Sequence, residues 1–259
     1  MLAYIINMEN AAERWKSVEK RFGATGIPFE RFPAVNGRKL TLPIAEFSET
    51  LYRRRHGKYP NLWQIGCYLS HVYALKKFLS SEHEIGIIAE DDIAPVDNLK
   101  LILERAIAFV DSWDILRLSG FHDSHPKSYV SLGDGLGQSY SLAINLSRLS
   151  GTGAYMVTRK AAEVLTTALV PMTVPIDHAI DREWVYGLRG ASINPLPVDQ
   201  ESLAFASQLR AEDNEKLPAL QRYWTVFPYR ARNEITRVFA RTLQLRNARA
   251  ALRRYRPTE

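Results

Sequence analysis

Three consecutive acids, Glu90, Asp91 and Asp92, end the apolar run of the segment IGIIAEDDI at positions 85–93. Adjacent carboxylates repel one another, so a divalent cation or a Lys or Arg side chain is expected among them. The run before them (Ile85, Ile87, Ile88, Ala89) does not alternate and is rich in β-branched residues, which suits a strand buried on both faces of an α/β sheet. The carboxyl end of such a strand opens into the crevice where open α/β sheets hold ligands. A solvated acidic turn is the plainer reading of the same residues, and the rest of the chain shifts the balance away from it.

A second pair of acids stands in PIDHAIDREW, where Asp177 and Asp181 are four apart and share one face of a helix that Asp177 would cap. One carboxylate would cap and the other do chemistry, or both would be structural. Asn7, Arg14 and Asn36 would face the same crevice as the acidic triplet, and an Arg there suits a diphosphate, although a surface helix residue is the alternative for Arg14. His71 lies mid-helix, where packing is the commoner role. Thr152 and Gly153, in GTGAY, would let the backbone approach a ligand closely. Arg117 ends the segment WDILR, and Gln200 follows Asp199 in PVDQ. His122, Asp123 and His125 match no trusted ligand spacing. Walker, zinc-type and GxSxG patterns are absent, as are internal repeats.

The elements that must position these residues alternate. Residues 2–7 read as a buried strand ending on Asn7, and 10–22 as a helix with Trp15, Val18 and Phe22 on one face and Asn10 as its N-cap. Gly26 to Pro28 break the chain before FERFPAVNG, a second strand that turns at Asn36-Gly37. Strand, helix, strand opens a nucleotide-binding α/β fold. Residues 38–62 are polar, basic and irregular and predict a mobile loop over the site. A helix follows from 61 to about 81, another over 99–110, and a strand ends near Arg117. Residues 121–145 predict loops and an edge hairpin. Residues 151–169 predict a Gly-rich turn, a short strand and a helix from about Thr158.

At 259 residues, with 46% hydrophobic and 24% charged residues, the chain suits one large globular domain with an appendage. A single cysteine, Cys67, excludes an internal disulfide framework and fits a reducing compartment. The start shows no basic leader, and no stretch has the roughly 18 uninterrupted apolar residues of a membrane span. A cytoplasmic protein is expected. Its net charge of +6 is uneven: from Pro218 onward there are 10 Arg, no Lys and two acids, while the preceding 217 residues hold 24 basic and 26 acidic residues. A domain over 1–217 and an Arg-rich helical extension over 218–259 follow.

In their order along roughly the first 205 residues, these stretches resemble glycosyltransferase family 25, the bacterial lipooligosaccharide β-galactosyltransferase type. The matching pieces are the opening strand with Asn7, Glu13-Arg14, the Ile27 to Ala34 segment, Gly66-Cys67 through Ser70-His71, Glu90-Asp91-Asp92, Arg117-Leu118, Gly151-Thr152 with Tyr155, and Asp177. The resemblance implies a GT-A-like nucleotide-sugar-binding α/β/α sandwich with a central mixed sheet. It implies an inverting, metal-dependent transfer of a hexose, usually galactose from UDP-galactose, to a saccharide acceptor of lipopolysaccharide, lipooligosaccharide or capsule. Asn7, Arg14, Asn36, His71, Glu90, Asp91, Arg117, Thr152, Gly153 and Gln200 fall at the donor side. Glu90 and Asp92 would hold Mn²⁺ or Mg²⁺, and Asp177, with Asp181 second, would be the base. The triplet reads Glu-Asp-Asp where other GT-A enzymes carry Asp-x-Asp.

The chemistry agrees without the family. A divalent ion with hard oxygen ligands would offset charge on a leaving diphosphate, and inversion needs a base on the opposite face to accept the acceptor hydroxyl's proton. Over 231–254, Ile235, Val238, Phe239, Leu245 and Leu252 fall on one helical face with Arg on the others. That pattern reads either as binding to an anionic membrane surface, on the inner face of the cytoplasmic membrane, or as a packed helix with a solvated basic face. The rivals are a metal-dependent nucleotide-sugar hydrolase or nucleotidyltransferase, a degenerate transferase kept for binding, and an Arg-tailed nucleic-acid binder. The last leaves the acidic crevice unexplained.

Overall fold

Residues 2–7 do form a strand, β1 (Leu2–Asn7), between β2 (Phe29–Pro33) and β3 (Ile85–Glu90), all three parallel. The computed structural model describes residues 1–121, 124–133, 137–200 and 215–255. Beyond β3 the sheet changes direction. β8 (Ala154–Thr158) runs antiparallel to β3 and to β5 (Ile115–Arg117), and β9 (Gly190–Asn194) is parallel to β5. β7 (Ser141–Asn145) and β6 (Pro126–Ser131) close the edge as the expected hairpin. The eight strands lie in the order β2-β1-β3-β8-β5-β9-β7-β6, a central mixed sheet. A two-stranded ribbon pairs β4 (Ile93–Pro95) with β10 (Val198–Gln200) and sets Gln200 opposite Ile93, one residue past the acids.

The unbroken apolar runs are explained by helices on both faces. Side chains alternate across a strand, so Ala3, Ile5, Ile87 and Ala89 enter one core while Tyr4, Ile6 and Ile88 enter the other. The first core is covered by α1 (Ala12–Gly23) and α4 (Leu99–Ile107) through Val18, Phe22, Ile102 and Leu103. The second is covered by α3 (Leu62–Leu79), α5 (Arg159–Ala168) and α6 (Ile176–Ile180) through Leu69, Val72, Leu75, Leu165 and Ala179. Each fully buried aliphatic side chain contributes about 1.5–3 kcal/mol. The expected α/β/α sandwich is the architecture observed.

Several local expectations are corrected. Asn10 does not cap α1; the N-cap is Ala11, with no side-chain bond. Residues 38–62 are not a bare loop. They contain a short 3₁₀ turn (Gly37–Lys39) and α2 (Glu49–His56), which Ser48 caps and Gly57 ends at φ +81°. The apolar surface hidden in that basic stretch is Tyr52, fully buried four residues before the buried His56. Asp177 does not cap its helix either: Pro175 is the N-cap of α6, Asp177 sits in the first turn, and Asp181 is the C-cap.

The Arg-rich extension is a single helix, α7 (Ala219–Tyr255), and two of its arginines are buried. Arg241 places Nε 2.8 Å from Glu183 Oε1 and Nη2 3.1 Å from Asp181 Oδ1, and donates to the carbonyls of Asn145 and Ser147. Arg237 reaches Asp181 Oδ2 at 3.2 Å and also pairs with Glu234. A buried pair left with one partner costs far more than the pair contributes. Arg241→Ala is therefore expected to lower stability by at least ~3 kcal/mol, because Asp181 and Glu183 would lose their shared cation. Denaturant midpoints of the two proteins measure it. A loss of about 0.5 kcal/mol, the size of an ordinary surface substitution, would contradict it.

The face expected on α7 is split by this packing. Leu245 is 8% exposed and Leu252 packs against the first core, whereas Ile235 and Phe239 are 71% and 73% exposed. Ile235 and Val238 of that face instead continue an open stripe with Leu220, Tyr223, Trp224 and Phe227, at three- and four-residue steps around Ala231, and Phe239 and Leu243 are exposed beside it. Among the described residues no helix is long and apolar enough to cross a membrane.

Candidate active site

At the end of β3 the three carboxylates are treated differently by their neighbours. Asp91 is bound by the protein itself: Arg14 Nη1 lies 3.1 Å from Oδ1, and Asn7 Nδ2 donates to Oδ2 at 2.6 Å. Glu90 accepts from the Thr152 hydroxyl at 3.2 Å and lies 3.5 Å from His71 Nε2. Asp92 has the Gln200 amide, 3.4 Å away. Burial and the charge of Glu90 outweigh that hydrogen bond and the more distant Arg14, so the Asp92 carboxyl is pushed up to about 6. One acid is neutralised, one is held beside a histidine, and one lacks a counter-charge.

These acids open into a cleft of about 180 Å³ between the end of β1, the start of α1 and α3. Arg14, Val35, Trp63, His71 and the acids line it. Its apolar wall is fixed locally. Asn61 caps α3 and accepts from the Trp63 backbone N–H at 2.8 Å, and the Arg38 guanidinium lies 4.8 Å from the Trp63 ring centre. Val35 N–H donates to Ser70 Oγ at 2.8 Å. Gly66 lets α3 approach this loop, since a Cβ there would stand 2.7 Å from the Val35 carbonyl oxygen. Sequence reasoning missed Trp63 and Val35. The available signal was an aromatic at the first turn of a helix whose burial pattern began two residues later.

The donor set fits a hard divalent cation. Among the described residues, Asn7 Oδ1 and Gln200 Oε1 are buried without a hydrogen-bond partner, although the amide nitrogen of each is engaged by an acid. Of the two, Gln200 Oε1 belongs to the amide that reaches the uncompensated Asp92, and an unpartnered buried oxygen in that place is what a cation would satisfy. Cys67, His71 and Glu90 also bring one ligand atom each within 4.8 Å of one another. Burial, then the charges of Glu90, Asp177 and Asp92, raises the Cys67 thiol well above its ordinary range. Mn²⁺ and Mg²⁺ take hard oxygen donors in preference to a thiol, so the oxygens of Glu90 and Asp92 are the fitting ligands.

Asp177 stands close by. Its side chain is 24% exposed, Gly151 N–H points at Oδ2 from 3.5 Å, and His178 Nε2 is 3.9 Å away. The turn 150–152 carries Gly151 at φ +82° and ties Asp177 to the acids, because Thr152, the next residue, donates to Glu90. Gly153 is packed beneath Gln200, where a Cβ would lie 2.4 Å from the side-chain amide carbon.

Three expected site residues lie elsewhere. Asn36 Oδ1 is taken by Arg38 N–H at 3.0 Å, so Asn36 caps the 3₁₀ turn outside the cleft lining. Arg117 is buried and donates to the carbonyls of Leu149 and Gly151, which makes it the support of the 150–152 turn. Asp181 is 3% exposed beneath Arg237 and Arg241. An acid already paired with two guanidiniums is a poor proton acceptor. His122 and Asp123 lie outside the described residues.

Residues 1–180, well over half of the chain, match the sequence pattern of glycosyltransferase family 25 (LPS biosynthesis protein). A Haemophilus influenzae protein provisionally named a glycosyltransferase is 28% identical over 179 residues, 69% of this chain and 60% of that one. The lipooligosaccharide biosynthesis protein lic2B of Haemophilus influenzae is 27% identical over 188 residues, 69% of this chain and 67% of that protein. The chain therefore spans 60% of the length of the first relative. A solved glycosyltransferase involved in glycosylation of the major capsid of PBCV-1 aligns over 74% of this chain and 80% of its own, at 16% identity and a TM-score of 0.33.

Proposed function

The chain belongs to glycosyltransferase family 25, and on that premise we propose that it transfers a hexose, galactose from UDP-galactose, with inversion onto a saccharide acceptor of lipopolysaccharide, lipooligosaccharide or capsule. The observation that carries this reading is the unequal treatment of Glu90, Asp91 and Asp92 at the mouth of a cleft walled by Trp63 and Val35. Asp91 neutralised by its neighbours and an Asp92 carboxyl pushed up to about 6 support a cation bound at this strand end.

In this reading Trp63 and Val35 receive the nucleobase, and Arg14 holds Asp91 so that the turn after β3 keeps its shape. Glu90 and Asp92 would hold Mn²⁺ or Mg²⁺, which would supply positive charge against the leaving diphosphate. Gln200 steadies Asp92. Asp177 accepts the proton of the acceptor hydroxyl. The acceptor oxygen forms its bond to the anomeric carbon as the bond from that carbon to the diphosphate breaks, and the electron pair leaves with UDP.

The test is product analysis by proton NMR. The full chain is incubated with UDP-galactose, Mn²⁺ and a panel of free saccharides. A new β-linked galactoside is the expected product. An α-linked product would sink inversion. Release of free galactose at a rate indifferent to acceptor would favour the hydrolase.

The same reading places the protein on an anionic membrane surface through α7. Its open stripe holds Trp224 at 70% exposure and Phe227 at 64%, and Arg232, Arg246 and Arg249 are exposed on the same helix. Each basic residue near an anionic leaflet contributes about 1 kcal/mol. Blue-shifted tryptophan emission is expected with anionic vesicles at low salt, reduced by at least half in Trp224→Ser/Phe227→Ser. Equal binding to neutral vesicles would contradict the charge contribution.

A further inference from the structure

We propose that the basic cavity beside Asp177 binds the oxyanion, phosphate or carboxylate, of an acidic acceptor saccharide. The proposal rests on the transferase reading above and adds the chemical class of the acceptor. The cavity measures about 510 Å³ and is lined by Arg55 of α2, Arg148 and Ser150 of the turn after β7, His178 and Arg182 around α6, and Arg230 of α7. Its acid, Glu234, is occupied by Arg237.

Among the described residues, Arg55, Arg148, Arg182 and Arg230 have no carboxylate within ion-pair reach. Each is bonded instead to a neutral group. Arg55 Nη1 donates to Thr173 Oγ1 at 2.9 Å, and Arg182 Nε to Asn233 Oδ1 at 2.7 Å. Arg230 Nη2 donates to the His56 carbonyl at 3.1 Å, and Arg148 Nη1 lies 2.9 Å from His178 Nε2. Arg55 and Arg182 both lie over the Tyr229 ring, at 5.6 and 5.3 Å, which fixes two of the guanidiniums in place. A guanidinium has five N–H donors, so these contacts leave most of them open.

Four guanidiniums crowded around one cavity without a counter-charge repel one another, and that repulsion is a cost. An anion in the cavity would remove it. Paired guanidiniums match the two oxygens of a carboxylate or phosphate, whereas neutral hydroxyls need no such charge.

The position joins the cavity to the reaction. Ser150 lines it, the Gly151 N–H points at Asp177, and the Thr152 hydroxyl reaches Glu90. Three consecutive residues thus run from the cations, past the base, to the acids of the donor side. None of the four arginines lines the cleft that holds the acids, so the donor diphosphate is not their occupant.

Calorimetry on the full chain tests this with glucose 6-phosphate, glucuronate and glucose, alongside UDP with Mn²⁺ as the donor control. At least one acidic sugar is expected to bind tenfold or more tightly than glucose. Arg148→Gln and Arg230→Gln, made separately at exposed positions, should each weaken that binding at least threefold and leave UDP affinity within twofold. Preference for glucose 6-phosphate assigns phosphate, and preference for glucuronate assigns carboxylate. Equal affinity for all three sugars, or acidic-sugar binding untouched by both substitutions, would overturn the proposal, as would loss of UDP binding in both variants. Failure of wild type to bind UDP while the acidic sugar still binds would sink the donor reading and not the cavity's chemistry.

Discussion

Asp177→Asn is expected to slow transfer by about 10³-fold while leaving UDP-sugar affinity within twofold, the size and pattern of losing a general base. Asparagine keeps an oxygen for the Gly151 N–H that approaches Asp177 Oδ2 at 3.5 Å, so the turn that supports Glu90 is preserved. It cannot accept a proton. The effect should therefore fall on turnover and not on the donor's dissociation constant. Initial rates at saturating donor and calorimetric titration with UDP separate the two. A variant that keeps more than about a tenth of the wild-type rate would remove Asp177 from the role, because an acid–base group contributes at least 10²-fold. Asp181→Asn is the contrast. Its carboxylate is paired with Arg237 and Arg241, so its loss should appear first as lowered stability.

Asp92→Ala has the second large effect, and it moves activity and stability in opposite directions. Transfer and metal-dependent donor binding are expected to fall by about 10²–10³-fold, the range seen when one preorganised electrostatic contact is removed. Stability without metal should rise. The Asp92 pKa is raised from 3.8 to about 6 in the folded chain, so the folded state holds this proton more tightly than the unfolded one. Stability linked to Asp92 is therefore complete below the unfolded value and is lost as pH climbs through about 6. At pH 8 the ionised carboxylate costs the fold up to ~3 kcal/mol, and alanine removes that cost. A chain of this size should gain several degrees in melting temperature at pH 8 and almost nothing at pH 4. Saturating Mn²⁺ should stabilise wild type at pH 8 and leave the variant unmoved. A variant less stable than wild type at pH 8 would show that Asp92 is not the uncompensated acid.

The acidic strand end could be read from the chain because a strand buried on both faces leaves a continuous apolar run, and Ile87, Ile88 and Ala89 are divided between two cores as that run requires. The helices α3 and α5 were legible for the same reason, their apolar spacing being uninterrupted. The helix α2 was hidden because Arg53, Arg54 and Arg55 mask a pair, Tyr52 and His56, that alone carries its burial. Spacing alone did not separate Asp177 from Asp181, and only the family resemblance ranked Asp177 first, since what distinguishes them in the fold lies some 60 residues downstream in Arg237 and Arg241. Those arginines looked like the solvated face of an amphipathic tail, and their burial depends on carboxylates that only the fold brings near. Asn36 was expected at the site but caps its own turn through the Arg38 N–H, and Arg117 instead holds the carbonyls of Leu149 and Gly151, 32 and 34 residues away in the chain. Local capping competes with ligand binding for the same side chains, and spacing does not decide between them.

We propose that the cleft at the end of β3 holds a nucleotide-sugar through a metal bound by Glu90 and Asp92. Calorimetric titration of the full chain with UDP-, GDP- and CMP-sugars, each with and without Mn²⁺, addresses it directly. Binding is expected to be selective for UDP, tightest for UDP-galactose, and at least tenfold weaker when the metal is withheld. Absence of nucleotide-sugar binding with any divalent cation, or affinity indifferent to both metal and nucleobase, would contradict it.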